Sequence, residues 1–123
     1  MRVPFQAEVI DGDILTVLLR GDLDSTSAPE FDRIVQEHLD KGRTKIIVDC
    51  RNLGYISSLG LGSLVALQAR LRRKGGEVKL ASVLGPVMEV MKAVRMDKML
   101  EIYGDLEFAR QAFAEDDRAA ETP

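Results

Sequence analysis

Ile46-Ile47-Val48 is the segment that most limits how this chain can fold. Successive side chains of a strand point to opposite faces of a sheet, so three apolar residues in a row fit a strand covered on both sides. Such a strand asks for helices packed on a largely parallel sheet. The flanking sequence supplies them. Asp11-Gly12 between the strand-forming residues 5–10 and 14–19 is a hairpin signal, and Gly21-Asp22-Leu23-Asp24 is expected to end the second strand.

A first helix is predicted from Ser27 as N-cap, with Pro29 in the first turn and Glu30 completing a capping box. Phe31, Ile34, Val35 and Leu39 fall on one face, and Gly42 stops the helix. A second helical pattern begins near Leu61, carries Leu64, Val65 and Leu71, and ends at Gly75-Gly76. Val78, Leu80 and Ser82 read as a further strand. Gly85-Pro86 opens a third helix, with Val87, Val90, Met91 and Val94 expected inward. Residues 100–103 suit a short edge strand, and Asp105 caps a last helix with Leu106, Ala109 and Phe113 on its apolar side. The fold class is therefore α/β: a mixed four- to five-stranded sheet with an N-terminal hairpin, a parallel centre and about four helices. At 123 residues the chain has length for one core, here placed in a single domain over residues 1–114. The acidic stretch at 115–123 is expected to fray as a flexible tail.

Composition excludes several function classes. Net charge is −3 and the basic residues are scattered, so the stripe needed for direct nucleic-acid binding is absent. Arg70, Arg72, Arg73 and Lys74 cluster only where they close the second helix, complementing its dipole. One His and one Cys make no zinc site, and the pairs Asp22/Asp24 and Asp116/Asp117 lack calcium-loop spacing, so no metal or cofactor is expected. Cys50, the single cysteine, can form no intrachain disulfide and reads as a small apolar residue. His38 lies in the first helical pattern, far from any serine it could activate, and reads as a surface residue. No apolar stretch approaches the ~18 residues of a membrane span, which makes the cytoplasm the expected location. Met88, Met91, Met96 and Met99 are expected to fill the core. Their exposure would instead mark a second interface, as in a weak homodimer rather than a monomer.

The chemistry concentrates in Tyr55-Ile56-Ser57-Ser58-Leu59-Gly60-Leu61-Gly62-Ser63, at a strand-to-helix junction. Hydroxyls and glycines there can cap the helix, cradle a phosphate or receive one. Cradling is poorly served, because Val65 stands where G-x-G-x-x-G needs its last glycine and no Walker lysine follows. Capping by Ser57 or Ser58 and phosphorylation of one of them both remain open on the residues alone.

The loop also resembles the signature of STAS domains, the domain type of bacterial anti-sigma-factor antagonists, which reads Asp-Ser-Ser/Ala-Gly-Leu-Gly after an apolar or aromatic pair. Two further segments are similar to that family's: Gly21-Asp22-Leu23-Asp24 before the first helix, and Val48-Asp49-Cys50-Arg51-Asn52-Leu53. The resemblance spans about residues 5–113. It implies a non-enzymatic regulatory module that binds a serine-kinase anti-sigma factor, is released when Ser58 (alternatively Ser57) is phosphorylated, and is restored by a PP2C-type phosphatase. It also implies a partner surface at Asp24, Ser57, Leu59, Gly60, Leu61 and Gly62. Two residues depart from the family's pattern, Ser57 in place of the acid and Leu59 in place of a small residue. Alternative expectations on the same fold are an unphosphorylated STAS scaffold in a signalling assembly and a weak nucleotide-binding domain.

Overall fold

The computed structural model describes residues 5–121. Its elements are β1 (Phe5–Asp11), β2 (Ile14–Leu23), α1 (Ala28–Asp40), β3 (Lys45–Ile56), α2 (Ser58–Arg73), β4 (Glu77–Ala81), α3 (Gly85–Ala93), a 3-10 turn (Met96–Lys98), β5 (Glu101–Tyr103) and α4 (Leu106–Glu121). The five strands lie in sequence order, antiparallel between β1 and β2 and parallel thereafter. Crossovers of one hand between strands that advance in one direction place α1, α2 and α3 on the same face. The main core forms there, around Leu15, Val17, Ile46, Val48, Leu64 and Leu80. The opposite face is covered by α4, which buries Ile47 and Ala81 against Ala109 and Phe113. Ile46, Ile47 and Val48 are thus divided between two cores, as their apolar run requires.

Two strands run further than their sequence pattern indicates. β2 continues through Gly21 to Leu23, and β3 extends to Ile56. Their parallel ladder shifts register between Leu18 and Arg20 and again between Gly21 and Asp22, where Gly21 takes a φ of 78°. Such irregularities break the alternation by which a strand is recognised. Leu53 and Ile56 are accordingly buried at a spacing of three, while Arg51, Asn52, Gly54 and Tyr55 are exposed.

Several local expectations are corrected. Ser27 precedes α1, yet its hydroxyl makes no cap bond. It donates to Asp22 O (2.7 Å) and accepts from Asp24 N (3.0 Å), so it braces the turn and the capping box does not form. Glu30 pairs with Arg33 instead. α2 starts at Ser58, three residues before Leu61. His38 is buried, 3.2 Å through Nδ1 from the Arg43 guanidinium. Val90 and Val94 are exposed, because α3 turns only Val87 and Met91 inward. Of the methionines, Met91 and Met96 are core, Met88 is half-buried and Met99 is exposed. α4 continues through Glu115 to Glu121. Residues 122 and 123, like residues 1–4, lie outside the described residues.

The helix holds there because of two lysines on the sheet. Lys45 binds Asp13 and Asp117, each at 2.6 Å. Lys79 is fully buried in the middle of β4, at 2.9–3.0 Å from Glu77, Glu101 and Asp116. Its ammonium also lies 4.7 Å from the Phe113 ring centroid and 5.5 Å from that of Tyr103. Burial alone would lower the pKa of Lys79, but the hydrogen bonds its ammonium donates to Glu77, Asp116 and Glu101 outweigh it and the net shift is upward. Glu101 is pulled below its ordinary range, burial being overcome by hydrogen bonds from Tyr103 and Lys79.

Lys79→Met should lower the unfolding free energy at neutral pH by about 2 kcal/mol. This is below the roughly 3–5 kcal/mol of a fully buried broken pair, because Glu101 and Asp116 are about half exposed. The Glu101 contribution is present above the usual carboxylate range and lost as pH falls through its depressed value. Urea titrations near neutrality and below the ordinary carboxylate range should therefore show a smaller acid-induced loss in the variant than in wild type.

Candidate functional site

The site forms where β3 gives way to α2. Ser57 N donates to Leu23 O (2.9 Å), which joins the ends of β2 and β3. Extended backbone at Ser57 (φ −92°, ψ 174°) makes it the N-cap, and its Oγ accepts from Gly60 N at 3.2 Å. The two serines are therefore not equivalent. Ser57 is half-buried and occupied as a cap, whereas Ser58, the first helical residue, is exposed. Leu59, next in sequence, and Tyr55, near the end of β3, are 61% and 53% exposed.

The remaining predicted residues divide in the same way. Gly60 is buried, and a Cβ on it would lie 2.3 Å from Leu23 O and 2.9 Å from Ile56 Cγ1. Its lack of a side chain lets α2 pass over the end of β2. Leu61 joins the core. Gly62 is exposed, and a Cβ there would meet nothing within 4 Å. Asp24 is half-buried and its Oδ1 accepts from Thr26 N (3.0 Å) and Ser27 N (3.1 Å), fixing the turn that follows Leu23. Ser57, Ser58, Leu59 and Gly62 thus share the outer side of the junction, Asp24 adjoins it, and Gly60 and Leu61 face inward.

One neighbour escaped the sequence reading. Asp32, on the polar side of α1, accepts a hydrogen bond from Ser63 Oγ at 3.2 Å through Oδ2. With Ser58, Leu59, Gly62, Ser63 and Ala66 it lines an open groove of about 390 Å³ between α1 and α2. Nothing in the sequence links Asp32 to a loop 26 positions on (58 less 32). Only the packing of α1 beside α2 brings them together.

Burial pushes the Cys50 thiol up to about 12, so it is protonated at neutral pH. Buried His38 is on the far part of α1 from its N-terminus, beside Arg43. Among the described residues no group of three His, Cys, Asp or Glu side chains could hold a metal ion. No Lys or Arg lines the serine groove. A second hollow of about 480 Å³ lies by Lys45, Glu77, Phe113 and Asp116, where the charges are already paired. Among the described residues no helix is long and apolar enough to cross a membrane.

A mixed sheet of this order, with a serine-capped helix after its central strand, matches the STAS domain model over residues 5–109, and the chain belongs to that family. It is 30% identical over 104 residues to BtrV of Bordetella bronchiseptica, which carries a provisional name as an anti-sigma factor antagonist; the match covers 85% of this chain and 89% of that protein. It is 26% identical to the anti-sigma F factor antagonist of Paenibacillus polymyxa, over 73% of this chain and 78% of the other. A crystal structure from Thermotoga maritima, provisionally assigned to the same class, superposes with a TM-score of 0.83 at 25% identity, covering 88% and 92% of the two chains.

Three substitutions probe this geometry through thermal or urea unfolding. Gly60→Ala should cost about 2–3 kcal/mol, since the clash is with backbone. Gly62→Ala should be neutral or gain up to ~1 kcal/mol, because the position is helical and open. Ser57→Ala should cost about 1 kcal/mol as a lost cap.

Proposed function

We propose that this chain is an anti-sigma-factor antagonist that binds a serine-kinase anti-sigma factor in its unmodified form and is released when that kinase phosphorylates Ser58. A PP2C-type phosphatase would then restore binding. The observation that carries the reading is the division of labour between the two serines. Ser57 caps α2, which leaves Ser58 exposed at the first helical position. A kinase can reach Ser58 without opening the fold, and the helix N-terminus stabilises the charge that results. Tyr55 and Leu59 give the partner apolar surface beside the acceptor. Burying a phosphate against that surface would be costly, since a desolvated dianion needs partners of its own. Ser57 is the poorer acceptor, because its Oγ is half-buried and already engaged by Gly60 N.

The role is that of a binding module rather than an enzyme. It is supported by a buried, protonated Cys50 and by His38 lying outside the serine junction. The relatives' names point the same way.

Incubation with the cognate serine kinase and ATP, followed by mass spectrometry, should place one phosphate on Ser58 and none on the Ser58→Ala variant. Ser58→Asp should weaken kinase binding at least tenfold, worth about 1.4 kcal/mol or more, with its melting temperature unchanged. Absence of phosphate on either serine would instead favour a constitutive STAS scaffold.

A further inference from the structure

The groove beside Ser58 contains a carboxylate that is only half satisfied. Asp32 Oδ2 accepts from Ser63 Oγ, whereas Oδ1 is buried and has no hydrogen-bond partner. An oxygen shut off from water without a donor keeps more of its field than a solvated one. No cation lines the groove to offset that field; further along the same α1–α2 interface, Arg70 Nη1 donates to Gln36 Oε1 at 2.6 Å. The groove lining comprises Asp32 from α1 and Ser58, Leu59, Gly62, Ser63 and Ala66 from α2, so Asp32 is its one titratable group. Arg33, next in sequence, is held by Glu30 and Glu37. The hydroxyl of Ser63, the groove's other serine, is already given to Asp32. Gly62, one helical turn beyond Ser58, adds no side chain to screen the two.

We propose that Asp32 steers a phosphate on Ser58. Like charge bars the dianion from the α1–α2 groove and turns it toward solvent, where an arriving partner meets it. The inference rests on Ser58 being the modified residue. Were Asp32 neutral, the groove would offer the phosphate a place to fold back. With Asp32 charged, the added charge stays on the surface that a partner must cover.

The test uses phosphoserine installed at position 58 by genetic encoding, in the wild-type chain and in Asp32→Asn, with the ³¹P resonance followed across the second phosphate ionisation near pH ~6. That ionisation adds a negative charge beside Asp32, so its midpoint should lie roughly half a pH unit higher in wild type than in the variant. Asn keeps an acceptor for Ser63. Asp32→Ser serves as a second neutral variant, and melting of the unphosphorylated proteins checks the fold. Equal midpoints would overturn the role of Asp32 while leaving the switch intact. A kinase that never modifies Ser58 would overturn the switch while leaving the midpoint difference in place.

Discussion

The carbonyl of Leu23 is the point on which the junction depends. It accepts the Ser57 N–H, and Gly60 packs directly against it. Reaching that carbonyl requires β2 and β3 to stay paired through two register shifts, as far as Leu23 opposite Ile56. Once it is reached, the chain leaves β3 with Ser57 in extended backbone, α2 begins at the next residue, and Ser58 faces outward. Asp24 and Ser27 hold the other side of the same turn. Ser58, the proposed acceptor, is therefore presented by a paired strand end and a capped helix, an arrangement that suits a change of charge with the backbone kept in place.

The distribution of charge complements this arrangement. Lys45 and Lys79 are spent on Asp13, Glu77, Glu101, Asp116 and Asp117, where they fasten α4 to the sheet. Arg110 meets Asp11, and Arg33 meets Glu30 and Glu37. None of these cations lines the serine groove. A phosphate placed on Ser58, as proposed, would have helix N–H groups for stabilisation but no lysine or arginine of the groove to neutralise it, so most of its charge would be left to act on a partner.

Much of the fold was legible because it follows from local rules. The hairpin at Asp11-Gly12, the buried run at residues 46–48 and the glycine stop at Gly42 each state their structure directly. The length of β3 was not legible, since register shifts replace alternation with a spacing of three at Leu53 and Ile56. Lys79 was hidden for a related reason. A lysine between Val78 and Leu80 reads as the solvent side of a strand, and its burial depends on carboxylates from β4, β5 and α4. At the site, Ser57, Ser58 and Leu59 were named from the loop itself. The inward roles of Gly60 and Leu61 and the presence of Asp32 depend on how α2 meets β2 and α1. That is tertiary information which no spacing within the loop contains.

The central claim is that charge at Ser58 changes a surface and not a fold. It is tested most directly by comparing backbone amide spectra and hydrogen exchange of the chain with and without phosphate on Ser58. The account predicts shift changes confined to the start of α2, the end of β3 and the part of α1 around Asp32, with exchange protection in β2, β3 and β4 unchanged. Loss of protection along those strands, or release of α4, would contradict it.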